Sequence, residues 1–215
     1  MSQHRSLASL IAGVAMIVLG TSFVVSAQDE GVKQIQQLIK RANSQVESIN
    51  DAKAQLQKTM GAYNDLFAPD VKDRRDAYKK LQKEMSNADK KRTEVSTKTG
   101  EMNAEADKLF KSWEGSAAAI SNADLRQRSE ARLKRTQDRF VEIRQTGQSA
   151  SELYAPFMKS LQDQVTFLGH DLNPGAVANL KPDAEKLNAQ AAELYSAIDK
   201  VTTLATSNIT KLSAE

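Results

Sequence analysis

The chain contains no cysteine. That absence removes disulfides, thiolate metal sites and cysteine nucleophiles together, and it leaves no residue to acylate as a lipoprotein. Histidine is nearly as scarce, with His4 and His170 alone. A single imidazole with no cysteine nearby and no second histidine at helical spacing does not build a zinc site of ordinary composition; at a helix end it pairs instead with the negative pole of the dipole. Aromatic residues are 5% of the chain against 27% charged residues, a mixture that suits long helices burying a narrow stripe rather than a thick globule. Four prolines and nine glycines leave few natural breaks. Gly-rich phosphate loops, a G-x-S-x-G elbow and other catalytic signatures are missing too, so the sequence predicts no catalytic residue, no cofactor and no enzyme.

What is present begins with a leader. Arg5, the apolar run from Leu7 to Val25 and the small residues Val25-Ser26-Ala27 have the layout of a secretory signal, with cleavage predicted after Ala27. The competing reading keeps residues 7–25 as an inner-membrane anchor, because that run approaches the length of a spanning helix. Export without disulfides points to the periplasm of a bacterial envelope. Loss of Arg5 lowers the net charge by one from the +3 of the whole chain, and so near-neutral a protein has no global nucleic-acid character.

From residue 28 to 215 the chain reads as one all-α domain. Val32, Ile35, Ile39, Ala42, Val46, Ile49, Lys53, Leu56, Met60, Tyr63 and Phe67 alternate three and four residues apart, and all but Lys53 are apolar. A period of 3.5 held over that length is the mark of a coiled-coil seam. Ala68-Pro69-Asp70 is expected to end the first helix and start the second. A second seam follows: Val71, Arg74, Tyr78, Leu81, Met85, Ala88, Arg92, Val95, Thr99, Met102, Ala106, Leu109 and Trp113. Residues 28–113 thus form a predicted antiparallel hairpin.

Gly115 and the alanines after it loosen this pattern, and Ser121 with Asp124 supplies an S-x-x-D helix start. A third helix is expected over 121–172, kinked near 156 because Pro156 lies inside it. Asn173-Pro174 and Lys181-Pro182-Asp183 offer two further starts, and Ala184, Leu187, Ala191, Leu194, Ile198, Val201 and Ala205 form the seam of a last helix over 182–212. The architecture expected is an elongated antiparallel coiled-coil-like bundle of three or four long helices. Its elbow carries Trp113, Ser121 and Asp124, with Trp113 packing into the core there.

Two basic runs are the candidate interaction surface: Lys79, Lys80, Lys83, Lys90 and Lys91 on the second helix, and Arg128, Arg132, Arg135 and Arg139 on the third. Such faces meet anionic lipid, lipopolysaccharide or another helix, although solvated helix surfaces are also built this way. The sequon Asn208-Ile209-Thr210 has no obvious meaning in a bacterial envelope. The predicted role is structural or protein-binding, with an envelope protein, a second copy or an anionic membrane surface as partner. The alternative is a bundle that binds ligands or lipids, or acts as a chaperone.

Leu109-Phe110-x-x-Trp113-Glu114, then Ser121-Asn122-Ala123-x-Leu125-Arg126-x-x-Ser129-Glu130, and later Phe157-x-x-x-Leu161-x-Asp163-Gln164-Val165-x-x-Leu168-x-His170-x-Leu172-Asn173 carry a resemblance. In their order and spacing they are similar to the uncharacterised bacterial family called domain of unknown function 2959, best from Leu109 to Leu180. The resemblance implies an exported helical envelope protein, often coiled-coil, and brings no activity. Lipoprotein-like members carry a cysteine that this chain lacks, which favours a soluble periplasmic protein.

Overall fold

A computed structural model describes residues 21–214, and the side chains from Gly31 onward. The predicted leader lies outside the described residues up to Gly20; its last residues enter only as backbone at the start of the first helix. The elements are α1 Thr21–Asp65, α2 Arg74–Ala118, α3 Ala123–His170, α4 Pro174–Asn179 and α5 Lys181–Ala214. Among the described residues the protein is all-α, and no helix is long and apolar enough to cross a membrane.

Caps set the helix boundaries. Pro69-Asp70 does not start α2: the helix begins four residues later, where Asp73 in extended backbone accepts from the amides of Arg75 and Asp76. Ser121 does not cap α3 either. Asn122 does, accepting from the Leu125 amide, while Asp124 sits in the first turn as expected. In each case the residue that caps is the candidate nearer the first buried side chain of the helix, Asp73 rather than Asp70 and Asn122 rather than Ser121. Asn173 caps α4 with Pro174 at its first position. Pro156 causes no break, since α3 runs unbroken from Ala123 to His170 through it.

Each long helix packs on two others, in the ring order α1, α2, α3, α5. Neighbours run in opposite directions. Asp65, Asp51 and Arg41 descend α1 while their partners Lys80, Lys91 and Glu101 ascend α2, at 2.8, 2.9 and 2.8 Å. On the other flank Asn64 and Lys53 of α1 meet Asn188 and Asp199 of α5, at 2.9 and 2.6 Å. Tyr78 and Trp113 of α2 likewise meet Val165 and Ser129 of α3.

Two neighbours per helix widen the buried face. In α2 the buried residues Leu81, Met85, Ala88, Met102, Ala106 and Leu109 lie on the expected seam and only Ala117 lies beyond it, and in α5 the whole seam is buried. In α1 the seam is only part of the face: Leu38, Gln45, Ser48, Thr59 and Ala62 are buried beside it, as is Leu66 just past the helix end, whereas Val32 is 51% exposed. Leu125 on α3 is 54% exposed.

The apolar interior is divided. The larger cluster joins Leu56, Tyr63 and Leu66 to Leu81, Phe157, Leu161, Leu187 and Leu194 at the end holding the α1–α2 and α4–α5 turns. A smaller one joins Leu38, Met102, Ala106, Leu109 and Phe140, with Phe110 and Trp113 packed on it, at the α2–α3 elbow. Between them along α1 and α2 is a polar waist. Buried Gln45 donates through its Nε2 to Thr99 Oγ1 at 2.9 Å, and the Thr99 hydroxyl donates in turn to the Val95 carbonyl at 2.8 Å.

The helices also differ in length, 45, 45 and 48 residues for α1, α2 and α3 but 34 for α5. From Lys53–Asp199 to Asn64–Asn188 α1 advances eleven residues as α5 retreats eleven. Carried on at that rate, the end of α5 stands level with Leu38, and Leu212 does share a cavity wall with Leu38. Residues N-terminal to Leu38 on α1 therefore continue toward the elbow without α5 beside them.

Candidate functional site

The lysines of α2 divide by helical angle. Lys79, Lys83 and Lys90 repeat at four and seven residues, share one stripe and are exposed. Lys80 and Lys91 lie on the flank facing α1, and their ammonium groups hydrogen-bond to Asp65 and Asp51, Lys91 reaching Glu94 as well at 3.0 Å. These hydrogen bonds hold both lysines above the ordinary ammonium range. Two of the five candidate lysines thus stitch α2 to α1, and three face solvent.

On α3, Arg128, Arg132, Arg135 and Arg139 recur at four, three and four residues and form one stripe flanking the buried face. Arg128 and Arg135 are exposed while Arg132 and Arg139 are half-buried. The guanidinium of Arg132 lies over the Trp113 ring, 5.2 Å from its centroid. The indole Nε1 of Trp113 donates to Ser129 Oγ at 3.0 Å, and Gln137 Nε2 donates to Glu114 Oε1 at 3.0 Å. Trp113 is therefore gripped on its edge and its face, which locks the elbow.

The two basic runs are not brought together. Lys79 lies beside Tyr78, at the level of Val165, whereas Arg128 lies beside Ser129, at the level of Trp113. Those far ends are roughly 50 Å apart at 1.5 Å per residue along α2, and the near ends, Lys91 and Arg139, are still roughly 18 Å apart. His170 is exposed in the last turn of α3. Among the described residues no group of three or more acidic or imidazole side chains is placed to hold a metal ion.

One polar relay escaped the sequence reading. The hydroxyl of fully buried Tyr63 donates to Gln164 Oε1, and Gln164 Nε2 donates to the Asp183 carbonyl at 3.3 Å. It ties α1, α3 and the start of α5 in one path. Burial, and then the charge of Asp183, raise the phenol of Tyr63 well above its ordinary range. The only signal in the sequence was a tyrosine at a seam position, which reads equally well as plain core.

The motif residues now have physical roles. Leu109, Phe157, Leu161, Val165 and Leu168 are buried core, Gln164 is the middle of the relay, Ser129 receives the tryptophan, and Asn122 and Asn173 are caps. No curated protein and no solved structure matches the chain. The family model described as protein of unknown function (DUF2959) matches residues 25–212, and the chain belongs to that family.

Proposed function

We propose that the protein is exported to the periplasm and serves there as a structural or protein-interaction module of the cell envelope, with packed coiled-coil-like seams making an antiparallel rod. One observation carries this reading: at the elbow start of α3 the large apolar side chain of Leu125 is 54% exposed, with exposed Arg126 and Arg128 beside it in sequence. Large apolar side chains set among cations form a surface for a partner rather than for water alone. Its sign favours an acidic envelope protein whose helix carries one or two apolar residues.

A photo-crosslinking residue at Leu125 in intact cells tests it, with the same residue at Lys90 as the control. Capture of an acidic envelope protein from Leu125 and not from Lys90 supports the proposal. Capture of the chain itself assigns the surface to self-association. Recovery of uncrosslinked protein alone from both positions, or of the protein in the cytoplasm, removes it.

A further inference from the structure

At the end of the rod opposite the elbow, the last turn of α1 and the first two turns of α5 leave an open hollow of about 260 Å³ between them. Asn64, Phe67 and Ala68 line it on one side, and Lys181, Glu185 and Asn188 on the other. The two asparagines clasp each other. Asn64 Nδ2 donates to Asn188 Oδ1 at 2.9 Å, and Asn188 Nδ2 donates back to Asn64 Oδ1 at 3.0 Å and to the Ala184 carbonyl at 2.8 Å. That clasp fixes the spacing of α1 and α5 beside the hollow and spends most of the amide hydrogens.

The charges are left open. Lys181 and Glu185 are exposed and stand four residues apart on one face of α5. The same order and spacing closes into an ion pair at Lys134–Asp138, 3.0 Å, and at Lys159–Asp163, 3.1 Å. Lys181 and Glu185 do not close, and among the described residues neither side chain has another ionic or hydrogen-bonding partner. They are also the two charged residues of the lining, about 6 Å apart along the helix axis.

This arrangement selects its ligand by charge. A simple anion or cation satisfies one of the two groups and is repelled by the other, whereas a zwitterion satisfies both. A nucleotide brings several negative charges to one lysine, and an acyl chain finds too little apolar wall. Phe67 and Ala68 give an apolar side chain something to lie on. The space exceeds the cavity of about 150 Å³ that takes benzene, so a side chain of leucine size is accommodated.

We propose that this hollow binds a free α-amino acid with an apolar side chain. Lys181 Nζ donates to its carboxylate, its ammonium donates to the Glu185 carboxylate, and its side chain lies against Phe67. The site is at the other end of the rod from Leu125 and does not depend on a partner there.

Amide NMR titration of the mature protein with leucine tests the assignment. Leucinamide, which lacks the anion, N-acetylleucine, which lacks the cation, and glycine, which lacks the side chain, are the comparisons. Leucine is expected to bind in the millimolar range and to shift amides in 64–68 and 181–188. Each of the other three is expected to bind about fivefold more weakly, the upper end of what one exposed charge pair contributes. Lys181→Gln should weaken leucine by the same factor and leave leucinamide unchanged, and Glu185→Gln should do so for leucine while sparing N-acetylleucine. Both side chains are exposed, so neither change should move the thermal midpoint. Equal binding of all four compounds, leucine binding that both variants leave intact, shifts confined to other regions, or no shift at all would overturn the proposal.

Discussion

A Cβ built on Gly169 would lie 2.5 Å from the hydroxyl oxygen of Tyr78, the same hydroxyl that donates to the Val165 carbonyl at 3.1 Å. Glycine in a helix ordinarily weakens it by roughly 0.5 to 1 kcal/mol relative to alanine. Here the tyrosine needs the space. Gly169→Ala should therefore destabilise by about 1 kcal/mol through the displaced hydrogen bond, whereas in a Tyr78→Phe background the same change should be neutral or stabilising. A double-mutant cycle from urea unfolding reads the difference, and additive effects would remove the steric explanation.

Trp113 joins α2 to α3 through Ser129 and Arg132. Being half-buried, it should lose about 2 kcal/mol on change to alanine, below the range for a fully buried tryptophan. Trp113→Phe keeps a ring but drops the indole donor, and about 1 kcal/mol is expected. Hydrogen exchange should localise the loosening to the end of α2 and the start of α3.

The buried tyrosines predict an alkaline limit. Burial pushes Tyr154 up to about 12, with the charge of Asp89 adding to it, and burial alone pushes Tyr195 up to about 12. A phenol whose folded value lies above its unfolded value of about 10 gives its full contribution below that pH and loses it as pH rises through the folded value. Stability should thus fall between about pH 10 and 12, visible as a dropping urea midpoint alongside tyrosinate absorbance. Because neither hydroxyl has an acceptor among the described residues, the Tyr154→Phe, Tyr195→Phe double variant should match or exceed the parent at neutral pH and decline less steeply above pH 10.

Gln45 separates the two apolar clusters. Its loss orphans nothing essential, since the Thr99 hydroxyl donates to the Val95 carbonyl. Gln45→Leu should be neutral or stabilising by up to about 1 kcal/mol, measured by thermal unfolding. A loss of several kcal/mol would mean that the waist carries more of the fold than its hydrogen bonds indicate.

Much of this fold was legible where one stripe suffices. Ala184 to Ala205 on α5 are spaced as a single seam and are buried as one, and on α2 the same spacing finds Leu81, Met85 and Ala88 and then Met102, Ala106 and Leu109, with exposed Arg92 between the two groups. On α1 the periodicity found Leu56, Met60 and Tyr63 but passed over Thr59, which is fully buried and donates to the carbonyls of Gln55 and Glu84 at 2.9 and 3.1 Å. A helix between two neighbours buries polar side chains that bond locally, and hydrophobic spacing carries no trace of them. Lys53 shows the same limit: an oddity in the seam, it reaches out of it to Asp199. The tryptophan grip and the tyrosine relay join residues far apart in sequence, so neither partner announces the other. The proline pointed to a start at Pro69-Asp70, and the cap at Asp73 carried no signal of its own beyond an aspartate four residues after that proline.

The missing length of α5 also has a mechanical consequence. α1 starts and α5 stops toward the same end of the rod, so a load drawn between those two points would act crosswise to their contact. It would separate the pair from the elbow end one turn at a time, beginning where the apolar interior is smallest, instead of sliding one helix along the other.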